Sequence, residues 1–190
     1  MSIELRFHHT SGRVYRYAQT EDAAMRQLIR LVAPPRVFAD PEIVLCGGGI
    51  VTLLPTAHIT RLDVVTSLPL GWPKPPNVTA MFVLPDEAAL RARAIRADGP
   101  KDPGEALVVH LAYDLVGGDR VYAELAAKAG HPLETRSRLS RLLRNPPVYF
   151  SLSGGGVTLL NPTNIIRVMV TANIDRTPAG AWPVHLQSPL

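Results

Sequence analysis

The chain has 190 residues, of which 46% are hydrophobic and 19% charged, and its formal net charge is +4. This composition excludes an intrinsically disordered chain, and the length allows one or two small domains with a buried core. No apolar run reaches the roughly 18 residues of a membrane span. The start of the chain lacks the basic and apolar segments of a signal peptide. A lone cysteine, Cys46, excludes an internal disulfide. We therefore expect a cytoplasmic protein without a membrane partner.

The positive charge comes from 17 arginines and only three lysines. A sequence pI of about 9.6 is typical of proteins that bind nucleic acids. A GC-rich genome, whose codons favour Arg, Ala, Pro and Gly, produces the same skew. Because the arginines are scattered and many have acidic neighbours, we favour the compositional origin and keep nucleic-acid binding as the alternative.

Residues 1–66, the first unit, predict the element order β-β-α-β-β-β. The alternating apolar residues of Ile3–Phe7 indicate a strand that turns at Gly12 and returns as a second strand. A helix with one apolar face follows and ends at Pro34-Pro35. Apolar segments on both sides of Gly47-Gly48-Gly49 predict a hairpin, and one further strand follows it.

Residues 67–106 form a proline-rich connector, for which a strand over Val78–Leu84 and a short helix after Pro85 are predicted. Residues 107–171, the second unit, predict the same element order as the first, with the helix at Arg136–Leu143. Residues 172–190 form a tail with one short candidate strand.

The second unit repeats the first in sequence. The segment Gly48-Gly49-Ile50-Val51-Thr52-Leu53-Leu54 recurs as Gly154-Gly155-Gly156-Val157-Thr158-Leu159-Leu160, and Ile59-x-Arg61 recurs as Ile165-x-Arg167. Matched blocks in the same order indicate a duplicated structural unit. Strand alternation predicts that six positions face the core: Val51, Leu53, Ile59, Val157, Leu159 and Ile165. We therefore predict an α+β fold of two tandem β-β-α-β-β-β repeats, packed as one pseudo-two-fold symmetric body with small curved sheets.

The sequence contains no pattern that predicts catalysis, a cofactor or a metal site. Both glycine runs lead into β-branched strands with no nearby lysine, so they indicate hairpin turns rather than phosphate loops. The pair His8-His9 would point to opposite faces of a strand and does not readily share one metal. Cys46 lacks a basic neighbour, and we expect a buried, inert thiol. We predict that the protein is not an enzyme.

Three groups of residues are candidates for partner contacts. Trp72, between prolines, is a rigid apolar side chain of the type enriched at interfaces, or it fixes the connector to its own body. The repeated Arg61 and Arg167 either contact a partner or an anion, or pair with a local carboxylate, which is the interpretation we favour. Candidate anion or nucleic-acid contacts on two predicted helices are Arg91, Arg93, Arg96, Arg138 and Arg141.

Two pieces of the second unit, Val109–Tyr122 with its Gly117-Gly118-Asp119 turn and Leu159–Val168, resemble small bacterial proteins of uncharacterised function, some with Sm-like β-barrels. The chain departs from the Sm pattern because its helix falls inside the unit, and no Sm RNA-binding residue carries over. The resemblance implies a curved, Sm-like partial barrel that is often oligomeric. We thus predict a non-catalytic interaction or regulatory module that binds a protein partner or itself, with nucleic-acid binding as the alternative.

Overall fold

The computed structural model describes residues 1–34, 36–74, 78–94, 106–128 and 148–171. In these residues the fold is α+β, with a mixed sheet of nine strands, a separate sheet of two strands and two α-helices. The helices are α1 (Asp22–Leu31) and α2 (Glu87–Ala94). The strands are β1 (Ile3–His9), β2 (Val14–Gln19), β3 (Glu42–Gly47), β4 (Ile50–Pro55), β5 (Ile59–Thr66), β6 (Val78–Leu84), β7 (Ala106–Leu115), β8 (Arg120–Lys128), β9 (Tyr149–Ser151), β10 (Val157–Leu160) and β11 (Ile165–Thr171).

The strands of the large sheet lie in the order β11-β7-β8-β6-β9-β10-β5-β1-β2. Neighbouring strands are antiparallel except β6 and β9, which are parallel. The connector strand β6 therefore lies inside the sheet, between two strands of the second unit. The β3–β4 hairpin forms the small sheet by itself. No helix in the described ranges is long and apolar enough to cross a membrane.

The first and last strands of each unit pair in the same register. In the first unit, Leu5 of β1 faces Val64 of β5. In the second unit, Leu111 of β7 faces Val170 of β11, so both residue numbers are 106 higher. A one-residue bulge interrupts each pair, again at positions 106 residues apart. The sequence correspondence between the units therefore coincides with the same strand pairing.

Strand alternation explains which side chains form the core. In β1, Ile3, Leu5 and Phe7 are buried, whereas the residues between them are only half-buried on the opposite face. These side chains and Met25 of α1 form one apolar cluster. A second cluster, which includes the fully buried Tyr113 of β7, occupies the second unit. The first cluster also includes Val157 and Leu159 of β10, so the second unit contributes to both clusters.

The two hairpins differ, which corrects part of the sequence prediction. Val157 and Leu159 of β10 are 7% and 0% exposed, as predicted, but Val51 and Leu53 of β4 are each 59% exposed. The physical reason is that β10 lies between β9 and β5, whereas β4 pairs only with β3 among the described strands. A pseudo-two-fold relation of the whole body therefore does not extend to the hairpins.

The remaining core predictions have mixed outcomes. Ile59 is fully buried as predicted, and Ile165 is half-buried. The helix predicted over 136–143 and the candidate strand of the tail lie outside the described residues. The connector helix α2 begins as predicted and is described as far as Ala94.

Candidate functional site

The β3–β4 hairpin presents an exposed apolar face. Val44 lies opposite Leu53 and Cys46 lies opposite Val51, so the four side chains share one face of the hairpin. All four are exposed, including the Cys46 thiol, which the sequence had led us to expect buried. We call these four residues the hairpin face. Single exposed apolar residues are ordinary, whereas large contiguous apolar patches are typical of interaction surfaces.

A groove of about 540 Å³ separates the hairpin from α1 and β2. Its walls are largely apolar and include Tyr17 of β2, Leu28 of α1 and Leu45 of β3. The groove separates part of the hairpin from β2 and α1, whereas Ile43 and Leu54 of the hairpin pack against the first core cluster. The hairpin face is exposed, and the outer edge of β4 pairs with no other described strand.

A second open element is β11, the outermost strand of the large sheet. Among the described strands it pairs only with β7, so its other edge carries backbone groups without a strand partner. Val168 and Val170 are half-buried against the second core cluster, and Ile166 is exposed. An edge of this kind is a template for pairing with another strand.

The junction of β10 with β5 shows how a hairpin docks on such an edge. Leu159 of β10 faces Leu62 of β5, and both are fully buried. Gly156, which precedes β10, has a φ of +90°, and a Cβ placed on it would lie 1.9 Å from the carbonyl oxygen of Val64. Only glycine combines that backbone conformation with so close an approach.

A polar network lies on the other face of this junction and is centred on Asp63. The Thr158 hydroxyl donates a 2.6 Å hydrogen bond to Oδ1, and His8 Nε2 lies 2.8 Å from Oδ2. Burial by itself raises the pKa of the Asp63 carboxyl. The hydrogen bond to His8, the positive charge of Arg61 and the Thr158 hydroxyl together hold that pKa below its ordinary value. The network therefore joins three strands, β1, β5 and β10, through one carboxylate.

The repeated arginines both lie beside carboxylates. Arg61 Nε is buried and has no hydrogen-bond partner among the described residues; it lies 3.5 Å from Asp119 Oδ2 and 3.8 Å from Asp63 Oδ1. Arg167 Nε donates a 2.6 Å hydrogen bond to Asp114 Oδ2, although its side chain is about half exposed. The structure does not bring the two arginines into one site, because they belong to β5 and β11, which have five other strands between them in the sheet order.

Trp72 packs against its own body. Its ring meets the Tyr149 ring edge to face at a centroid distance of 5.8 Å, and it is half-buried against the first core cluster. The Tyr149 hydroxyl donates a 2.8 Å hydrogen bond to the Pro73 carbonyl oxygen. This stretch of the connector is therefore attached to β9 of the second unit.

The described arginines of α2 also have acidic partners. Arg91 pairs with Glu87 one helical turn away. Arg93 Nη1 lies 2.9 Å from Glu124 Oε2, and its guanidinium lies over the Phe82 ring. The remaining candidate contacts, Arg96, Arg138 and Arg141, lie outside the described residues.

Sequence reasoning missed the polar networks because their members are far apart along the chain. Asp63 and Thr158 are separated by 95 residues and meet only through the β5–β10 pairing. The one local signal is a carboxylate within the apolar strand β5. A similar pair joins the buried His110 to Glu124 across β7 and β8, at 3.1 Å. No group of three potential metal ligands occurs in the part of the chain that is described.

No protein-family model matches the chain, and neither a curated protein nor a solved structure matches it.

Proposed function

We propose that the chain is a non-catalytic, self-associating interaction module that binds through the β3–β4 hairpin. The observation that carries this function is the hairpin face, a contiguous group of exposed apolar side chains on a hairpin outside the main sheet. Burying two such side chains against a partner would contribute roughly 1.5–3 kcal/mol each before the costs of association. Covering the hairpin face with a partner would therefore favour association.

Self-association follows from the two units being versions of one module. The shared register and bulge of β1–β5 and β7–β11 support this interpretation, as does the recurrence of the glycine hairpin sequence. In the second unit the hairpin is fully docked on a neighbouring unit. Because the β9–β10 hairpin docks on a strand within the chain, we infer that the corresponding β3–β4 hairpin docks on a strand of another chain. The resemblance to Sm-like proteins stays a prediction and does not enter this inference.

Nucleic-acid binding is the alternative, and the contacts of the arginines favour it less. Arg91, Arg93 and Arg167 each lie against a carboxylate, which lowers the positive potential available to phosphates. Phosphate contacts require accessible cationic side chains in excess of local acids.

Sedimentation velocity over a range of protein concentrations tests self-association. We expect the wild type to show a mass above 20.6 kDa that rises with concentration, and Leu53→Lys to sediment as the 20.6 kDa monomer. Leu53 is exposed in the single chain, so the lysine should leave the fold intact. Val116→Lys, at an exposed apolar residue in the β7–β8 turn, is the matched control and should associate like the wild type. A wild type that stays monomeric throughout would refute the proposal.

A further inference from the structure

We propose that β4 of one chain pairs antiparallel with β11 of a second chain, in the register that β10 makes with β5 inside the chain. This inference rests on the proposed self-association and names the element that receives the hairpin. It defines a head-to-tail interface, in which each chain offers a hairpin at one end and an edge strand at the other.

The correspondence of the units identifies the two free elements. Strand β10 is the fourth strand of the second unit, and it pairs with β5, the last strand of the first unit. Subtracting 106 from the residues of β10 gives 51–54, which lie within β4. Adding 106 to the residues of β5 gives 165–172, of which 165–171 form β11. The chain thus contains one such junction, between β10 and β5. The corresponding strands, β4 and β11, each have one edge that no described strand pairs with.

The same correspondence fixes the register between chains. Within the chain, Leu159 faces Leu62 and Val157 faces Val64. Subtracting 106 from the β10 residues and adding 106 to the β5 residues gives the pairs between chains. Leu53 then lies opposite Val168 of the second chain, and Val51 lies opposite its Val170. Every residue in these two pairs is apolar. The exposed Val51 and Leu53 are the positions whose counterparts are buried at the completed junction. The proposed pairing would therefore bury the exposed side chains of Val51 and Leu53 against β11 of the second chain.

The edge that receives the hairpin also has the required character. Val168 and Val170 already pack partly against the second core cluster, so a covering strand would extend that cluster.

Three positions depart from the internal junction. Thr52 and Met169 replace the hydrogen-bonded Thr158–Asp63 pair. Pro55 replaces Asn161, so it cannot donate the backbone hydrogen bond that Asn161 gives to the Thr60 carbonyl oxygen. At the turn, Ile50 replaces Gly156. Ile50 is a regular member of its hairpin, opposite Gly47, and it does not reproduce the close approach of Gly156 to Val64. Pairing between chains therefore begins at Val51.

Disulfide trapping tests the register with two differently labelled chains. At the internal junction the side chains of Thr158 and Asp63 are in direct contact, and their counterparts are Thr52 and Met169. We would mix Thr52→Cys with Met169→Cys, both in a Cys46→Ser background that removes the exposed native thiol. Directly opposed strand residues have Cβ atoms close enough for a disulfide. Non-reducing electrophoresis should show a shift from 20.6 kDa to twice that mass.

A mixture of Thr52→Cys with Thr171→Cys is the matched control, because the second cysteine lies on the same strand face two residues out of register. It should give little or no dimer. A second in-register mixture, Val51→Cys with Val170→Cys, repeats the test in case the Met169 variant does not fold. Dimer in both in-register mixtures and not in the control supports the proposed pairing.

The outcomes separate this inference from the proposed function. If the wild type self-associates and Leu53→Lys abolishes it, but folded in-register pairs trap no more dimer than the control, β11 is not the receptor and only this inference fails. If the wild type is monomeric at every concentration, the proposed function fails as well.

Discussion

Gly156 determines how closely β10 can approach β5. Its φ of +90° and the 1.9 Å that would separate a Cβ from the Val64 carbonyl oxygen leave no room for a side chain. We expect Gly156→Ala to lower the free energy of unfolding by about 2 kcal/mol or more, since both backbone strain and a backbone clash are introduced. Urea unfolding measures the loss.

Gly154→Ala is the matched control for this glycine. Gly154 has no positive φ, and nothing lies within 4 Å of a Cβ placed on it. Its substitution should change the free energy of unfolding by less than about 1 kcal/mol. Equal effects at the two positions would contradict the close approach at the β5–β10 junction.

Asp63 makes the stability of the junction dependent on pH. Its pKa in the folded protein is held below the ordinary value, so its ionised form favours folding. This contribution is complete above the unfolded pKa of about 3.9 and is lost as the pH falls through the lower, folded pKa. We expect Tm to decrease below about pH 4, and the decrease to be shallower in Asp63→Asn.

Thermal unfolding from pH 7 to pH 2.5 measures this dependence. Asp40→Asn, at an exposed aspartate, is the control and should follow the wild-type profile. The assignment to Asp63 would be wrong if its asparagine variant kept the full acid dependence.

At the scale of elements, the two hairpins allow a comparison of equivalent leucines. Leu159→Ala removes a fully buried side chain and should cost about 2–5 kcal/mol of unfolding free energy. Leu53→Ala removes an exposed one and should cost about 0.5 kcal/mol or less in dilute, monomeric protein. Urea unfolding of both variants measures the two losses of unfolding free energy. Similar losses would mean that Leu53 of β4 is buried in solution.

The sequence predicted the elements better than their packing. Alternation in Ile3–Phe7 and the glycines at 47–49 identify β1 and the β3–β4 hairpin because these signals are local. The same alternation occurs in β4 and β10, so it could not show that Val51 is exposed and Val157 buried. That difference depends on whether a strand lies beside the outer edge, which is a long-range property of the sheet.

The candidate site was predicted less completely than the fold. The repeated arginines were visible in the sequence, and their carboxylate partners Asp114 and Asp119 were not, because cross-strand and inter-unit contacts supply them. From the sequence, Trp72 could contact either a partner or its own body, and only the folded chain shows that it contacts Tyr149. Interfaces formed by strand edges have no sequence motif, since backbone groups make the pairing.

At the scale of the whole molecule, the arginine-rich composition can be tested directly. We expect labelled single- and double-stranded oligonucleotides to show no detectable binding at moderate salt, because the described α2 arginines are paired with Glu87 and Glu124. A fluorescence titration at low and moderate salt measures this. Tight binding that weakens steeply with salt would instead favour the nucleic-acid alternative.

The position of β6 affects how the molecule can be divided. In the sheet order, β8 and β9 are joined only by β6, a strand that precedes the second unit in the chain. A polypeptide starting at residue 107 would lack β6, the strand that lies between β8 and β9 in the sheet. Separate expression of that polypeptide should therefore yield an insoluble product, and supplying residues 1–94 in trans should rescue it, as in a split protein whose fragments fold only together.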